Sequence, residues 1–114
     1  MTKAGNLNHR IRIERRVKTE NSRGEVVYDW AKVVNLRAEK NPLRGREFFA
    51  AAQMQSEITT RWRIRWRNDI DDTMRVVELT GQAMLYDIKA PPIEVGGQRD
   101  WLDLMCKAGV ADGR

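Results

Sequence analysis

The sequence has few of the residues that form disulfide bonds and catalytic centres. Among its 114 residues there is a single cysteine, Cys106, and a single histidine, His9. A lone cysteine excludes an intramolecular disulfide, so the fold must be stable in a reducing compartment. No serine or cysteine has a base near it that the sequence identifies. We therefore expect a protein that is not an enzyme and that has no catalytic residues.

Motifs for metals and nucleotides are missing as well. No Cys/His set has the spacing of a zinc site, and no glycine-rich loop leads into Lys-Ser or Lys-Thr. The cluster Asp69, Asp71 and Asp72 resembles the start of a calcium loop, but Met74 stands where a glycine is needed and Thr80 where a glutamate is needed. We expect this cluster to be a solvated turn, and we expect no cofactor.

Long apolar runs are also absent. No stretch approaches the roughly 20 residues of a membrane helix, and the N-terminal MTKAGNLNHR lacks the apolar middle of a signal peptide. We expect the protein to be made in the cytoplasm and to have no membrane partner. Since no shift in composition marks a linker, residues 1–114 are predicted to form one domain.

Charge is unevenly distributed along the chain. Residues 1–43 carry ten Lys/Arg and five Asp/Glu, and residues 44–67 carry six and two. Residues 68–114 reverse the sign, with five basic and nine acidic residues. Such asymmetry is typical of a basic face turned toward nucleic acid, or of complementary patches that let one copy dock on the next.

The segment from Glu57 to Arg67, EITTRWRIRWR, alternates strictly. One side of a period-two pattern holds Ile58, Thr60, Trp62, Ile64 and Trp66, and the other holds Thr59 and the four arginines, which predicts a half-buried strand. Trp62 and Trp66 share the face of Ile58 and Ile64, so core packing is favoured over stacking on nucleic-acid bases.

Further strands are predicted on either side of this segment, with turns rich in Asn, Gly and Pro between them. Together they predict an all-β fold, a small β-barrel or sandwich of six to seven short antiparallel strands. An exposed loop is expected from Pro91 to Gly97. The predicted strands are Arg10–Val17, Glu25–Trp30 and Val33–Lys40 (or one bent strand), the arginine segment, a Met74–Leu79/Ala83–Ala90 hairpin, and Asp100–Lys107.

An insertion of different character, about residues 42–56, interrupts the strands. Three consecutive alanines and the spacing of the phenylalanines predict a short helix or a long loop. Because strands are predicted on both sides of it, the insertion is expected to extend from the sheet and not to form a separate domain.

Charge repulsion among the outward arginines of the alternating segment must be offset. These arginines are Arg61, Arg63, Arg65 and Arg67. Neighbours two apart on a strand lie about 7 Å apart, and each such pair repels by about 0.6 kcal/mol at the dielectric of water. Either cross-strand carboxylates such as Glu78, Asp87 or Asp103 neutralise them, or they face phosphate or an acidic patch on an adjacent subunit.

Several segments together resemble the phage head-tail joining family, which includes head-closure, stopper and head-tail adaptor proteins. The resemblance covers residues 4 to about 107, with matching order and spacing. Trp62 and Trp66 depart from it, because the family more often has smaller or single-ring residues there. The segments that carry it are PLRGREFFAAAQMQSE (Pro42–Glu57), IRWRNDI (Ile64–Ile70), MRV (Met74–Val76), AGNLNHRIRI (Ala4–Ile13) and GEVVYDW (Gly24–Trp30).

This resemblance implies a structural virion protein of a tailed bacteriophage or prophage, located at the head-tail interface. Its members form rings beneath the portal and adaptor, seal the DNA channel and offer a platform for the tail. A twelve-fold ring is one expectation, although the sequence fixes no copy number. Non-specific contact with double-stranded DNA is implied for the insertion, whose channel-facing or plug residues would be Arg44, Arg46, Phe48, Phe49, Gln53 and Gln55.

Two alternatives stay open on the sequence. One is a monomeric, nucleic-acid-binding small β-barrel of the OB type, which predicts tight and steeply salt-dependent binding to free DNA. The other keeps the phage connector but places the chain at a tail-completion or adaptor position.

Overall fold

The computed structural model describes residues 4–43, 58–81 and 84–108, and these residues form one antiparallel sheet. A single turn of 3₁₀ helix, Ala4–Asn6, precedes the first strand. The strands are β1 (His9–Glu20), β2 (Val26–Pro42), β3 (Thr60–Arg65), β4 (Arg75–Glu78), β5 (Leu85–Ile88), β6 (Ile93–Val95) and β7 (Trp101–Ala108).

The sheet closes on itself. Its strand order is β3-β2-β1-β4-β5-β7-β6, and β3 also pairs with β7, from Thr60 opposite Cys106 to Arg65 opposite Trp101. The other side of β7 is shared between β5, which pairs near Cys106, and β6, which pairs near Trp101. The seven strands of the described residues belong to this single sheet.

The core lies inside this closed sheet. Trp62 is completely buried and makes edge-to-face contacts with two other rings, His9 at 5.8 Å and Tyr86 at 5.3 Å between centroids. Edge-to-face contacts of this kind place the positive ring edge against a negative ring face. Aliphatic side chains from most strands complete the core, among them Ile11, Ile13, Ile64, Val76, Ile88, Leu102 and Leu104.

The period-two alternation of the arginine segment correctly predicted which of its side chains are buried. Ile58, Trp62 and Ile64 are fully buried, while Arg65 is exposed. Trp66 is half-buried and packs against the core from its margin. The regular strand is shorter than the pattern, since it begins at Thr60 and ends at Arg65. The predicted hairpin is present as the antiparallel pair β4 and β5.

One local prediction needs correction. The region Pro91–Gly97 is not only a loop, because Ile93–Val95 forms an edge strand on β7. Three residues are too few for a periodic signal, and the flanking prolines and glycines hid it. Of the two alternatives for the region from Glu25 to Lys40, the single strand is confirmed: β2 is continuous from Val26 to Pro42, with a shift of register opposite Ile13 and Glu14.

The first hairpin extends beyond the closed sheet. β1 pairs with β4 only from Ile11 to Glu14, and β2 pairs with β3 only from Glu39 onward. Residues 15–31 therefore form a two-stranded projection, called here the hairpin arm, in which Arg15 faces Ala31 and Glu20 faces Val26. Its turn is fixed by Asn21, whose Oδ1 accepts hydrogen bonds from the Arg23 and Glu25 amides at 2.9 and 3.0 Å.

Candidate assembly interface

Two arginines of β3 are neutralised within the chain. Asp103, on the neighbouring strand β7, lies directly opposite Arg63. It accepts two hydrogen bonds from that guanidinium, Nε to Oδ1 at 2.6 Å and Nη2 to Oδ2 at 2.9 Å. The Arg61 Nε is 3.8 Å from the same carboxylate. Because Asp103 is buried, these contacts hold both cations against the sheet.

The other two predicted arginines have different surroundings. Arg65 is exposed, and its guanidinium carbon lies 5.5 Å from the centroid of the Trp101 ring. Arg67 donates two hydrogen bonds to Asp69, at 2.9 and 2.8 Å. Those bonds from Arg67 hold the pKa of the Asp69 carboxyl below its ordinary value, against the opposing effect of burial. The four arginines thus do not form one uniform basic face, and Arg65 is the member most available to a partner.

The base of the hairpin arm is fixed by a separate ionic cluster. Glu14 is buried and accepts from the Nε of Arg12 and the Nε of Arg75, both at 2.8 Å. The Arg75 guanidinium also lies 4.2 Å from the centre of the Trp30 ring. These contacts tie the arm to β4 at its root, beyond which the two strands of the arm pair only with each other in the described part of the chain.

The arm exposes large apolar side chains. Val26, Val27 and Tyr28 are 50%, 40% and 57% exposed. The guanidinium of Arg16 covers one face of Tyr28 at 4.4 Å. Both outer strand edges of the arm also present backbone groups that no other described strand pairs with. Soluble proteins usually protect such edges, and an isolated two-stranded hairpin is only marginally stable in water. The arm therefore has the properties of a docking surface.

One polar cluster lies at the margin of the core. Glu78 is buried, and its carboxylate is 3.3 Å from Lys40 Nζ and 3.4 Å from the Tyr86 hydroxyl, which donates to it. Burial disfavours the Lys40 ammonium, but Tyr86 and Glu78 outweigh that effect and raise its pKa above the ordinary value. This cluster satisfies a buried charge and offers no open site.

The single histidine and the single cysteine lie against or within the core. His9 packs on Trp62, whereas Cys106 is fully buried in the core, and burial raises the pKa of its thiol far above the ordinary value. In the acidic cluster, Asp69 pairs with Arg67, and Asp71 accepts from the Thr73 amide at 2.9 Å. Asp69, Asp71 and Asp72 are exposed, as predicted for a solvated turn. Across the described segments, no helix has the length and apolar character needed to cross a bilayer.

The predicted channel residues lie outside the described residues. This applies to all six members of the insertion, Arg44, Arg46, Phe48, Phe49, Gln53 and Gln55. Sequence reasoning also missed the extent of the hairpin arm. Its signal was present in Val26-Val27-Tyr28, an apolar run beside a turn, but nothing in that run shows whether another strand covers it.

Comparison with known proteins agrees with this architecture. The chain is similar to the solution structure of protein SF1141 from Shigella flexneri 2a, with 26% sequence identity and a TM-score of 0.76. The similarity covers 96% of this chain and 99% of that one. No curated protein has a significant match.

Residues 2–109 match the sequence model of the phage head completion protein family. The match spans nearly the whole chain, including the closed sheet, the hairpin arm and the insertion. It accords with the resemblance to head-tail joining proteins. It also supports a structural role in the virion, together with other head and tail proteins. The chain therefore belongs to the phage head completion protein family.

Proposed function

We propose that this protein is a head-closure connector subunit. Copies of it form a ring under the portal and adaptor, close the DNA channel and provide the surface on which the tail docks. The observation that carries the proposal is the hairpin arm, because it exposes Val26, Val27 and Tyr28 next to open strand edges. In a ring, a neighbouring subunit covers these groups, which would promote aggregation if they stayed exposed on a monomer.

The charge distribution supports contacts between unlike surfaces. The arm carries basic side chains, among them Arg15, Arg16 and Lys18, whereas the turn that contains Asp69, Asp71 and Asp72 is acidic and exposed. A ring needs two different patches on each subunit, and opposite charges on those patches fix which patch meets which.

We further propose that the insertion at residues 42–56 closes the channel. This role comes from the family resemblance, with Arg44 and Arg46 meeting DNA and with Phe48, Phe49, Gln53 and Gln55 forming the plug. Leu43 and Ile58, which border the insertion, pack together in a small apolar cluster. Both ends of the insertion are therefore anchored at the same place on the sheet, as a channel loop requires.

The decisive experiment is negative-stain imaging of the full-length protein mixed with the portal and adaptor proteins of its phage. We expect annular particles with a central hole. A variant with Val26→Ser and Tyr28→Ser should keep its circular dichroism spectrum and lose the ring. The matched control, Ile93→Ser, removes an exposed apolar side chain from β6, outside the arm, and should assemble.

The outcomes separate the parts of the proposal. If the wild-type protein forms no annular complex with its connector partners, the closure function is wrong. Rings formed by the double variant would refute only the docking role of the arm. Tight, steeply salt-dependent binding of the isolated chain to free DNA would instead support the monomeric nucleic-acid-binding alternative. The place of the ring in the connector stack distinguishes head closure from tail completion.

A further inference from the structure

Three exposed arginines lie in a row across β1, β2 and β3. Arg10 on β1 is the direct cross-strand partner of Arg37 on β2. The last cross-strand pair of β2 and β3 is Glu39 opposite Arg63. Continuing the same register by two residues places Arg37 of β2 beside Arg65 of β3. All three side chains are exposed.

In the described segments, these three arginines lack the carboxylate partners that other arginines of the sheet have. Arg12 and Arg75 share Glu14, and Arg63 binds Asp103. Within residues 4–43, 58–81 and 84–108, no carboxylate forms an ion pair with Arg10, Arg37 or Arg65. Like charges on directly opposite residues destabilise a sheet. An anion bound from outside would remove that repulsion.

The row lies over two open cavities. The first, of about 350 Å³, is lined by Arg10 and Arg37 together with Asn35, Leu36 and the exposed Leu79. The second, of about 290 Å³, lies where β2 and β3 diverge and is lined by Leu7, Leu36, Arg37 and Arg65. Arg37 borders both, so each cavity has a cationic rim and a partly apolar lining.

Apolar side chains flank the row at both ends. At one end, the Leu79 amide donates to the Arg10 carbonyl at 2.8 Å. At the other end, Trp101 is the cross-strand partner of Arg65 and contacts its guanidinium. Neighbouring strands lie about 5 Å apart, so the row from Leu79 through the three arginines to Trp101 spans roughly 20 Å.

We propose that this row is a binding site for an extended acidic segment of a partner protein. Side chains on one side of an extended chain recur every two residues, about 7 Å apart. A segment with two carboxylates two positions apart, and an aliphatic residue two positions outside each, spans about 20 Å and matches the row. The carboxylates bind between the arginines, and the aliphatic residues contact Leu79 and Trp101.

A protein segment suits this surface better than a DNA backbone does. Phosphates would engage the three arginines but leave Leu79 and Trp101 without an apolar partner. The inference does not depend on ring formation through the arm, since neither the three arginines nor Leu79 and Trp101 belong to residues 15–31.

The test is an NMR titration of the ¹⁵N-labelled full chain with the capped peptide Ser-Leu-Ser-Asp-Ser-Asp-Ser-Leu-Ser. We expect shifts of the Nε–H signals of Arg10, Arg37 and Arg65 and of the Trp101 indole. Arg37→Gln should weaken binding about tenfold or more, since it removes charge-assisted hydrogen bonds. Arg15→Gln, which removes an exposed arginine from the arm, is the matched control and should leave affinity unchanged.

Each comparison can overturn the proposal. It fails if the peptide produces no shifts at millimolar concentration, or if the version with Asn in place of both Asp binds equally well. It also fails if replacing both Leu with Ser changes nothing, because the apolar flanks would then have no role. Shifts of the row with a DNA duplex but not with the peptide would assign the site to phosphate instead. Arg10→Gln repeats the Arg37 test at a second exposed position, in case one variant folds poorly.

Discussion

The buried ion pair on β3 and β7 predicts a large loss of stability when Asp103 becomes Asn. The Asp103 side chain is 7% exposed and that of Arg63 is 16% exposed. The substitution removes the negative charge but leaves the Arg63 and Arg61 guanidiniums against the sheet. Removing one partner of a buried pair costs about 3–5 kcal/mol. Since Arg63 retains some access to water, we expect the lower end, about 3 kcal/mol.

Urea denaturation followed by tryptophan fluorescence measures this loss directly. For a domain of this size, about 3 kcal/mol corresponds to a fall in Tm of roughly 12–24 °C. Asp69→Asn is the matched control, because Asp69 also accepts two hydrogen bonds from one arginine but is 42% exposed. An exposed pair contributes about 0.5 kcal/mol or less.

The contrast between the two variants is what tests the reasoning. Burial does not set the strength of the Asp103 pair if Asp103→Asn costs less than about 1 kcal/mol, or no more than Asp69→Asn. A double variant with Leu at both 63 and 103 should recover part of the loss, since apolar pairs can replace buried ion pairs. Recovery should be incomplete, because the double variant also removes the contact between Arg61 and the Asp103 carboxylate.

Four further outcomes are expected. Trp62→Ala should destabilise the chain by about 3–5 kcal/mol and Trp62→Phe by about 1–2 kcal/mol in the same urea assay, because the ring fills the centre of the core. Cys106 should not react with a thiol reagent in the native protein and should react fully in denaturant, because burial raises its pKa and blocks access. The stability difference between wild type and Asp69→Asn should be present above about pH 4 and vanish as the pH falls through the lowered pKa of Asp69, because a depressed carboxyl pKa stabilises the folded state only while the group is ionised. Gly96→Ala should cost more than Gly81→Ala, since both have positive φ but a Cβ at Gly96 would lie 2.9 Å from Asp100 Oδ2 whereas one at Gly81 meets nothing within 4 Å.

The sequence alone determined which face of the arginine strand is buried. In the arginine segment, alternation of period two placed Trp62 inside and Arg63 outside, because successive side chains on a strand point to opposite sides. The same local rule predicted the β4–β5 hairpin and the all-β class. The order and spacing of the segments from Ala4 to about residue 107 also indicated the family. These properties depend on neighbouring residues, so they can be read without tertiary contacts.

Only the tertiary structure decided which distant residues meet. The closure of β3 on β7 brings Asp103 to Arg63, forty positions away, and the sequence offered three carboxylates without choosing among them. The arginine row joins Arg10, Arg37 and Arg65 from three strands, and no local pattern connects them. Tyr28 is likewise exposed because β1 and β2 extend beyond the strands β4 and β3 that pair with them. Strand register sets these contacts, and register is fixed by the packing of the whole sheet.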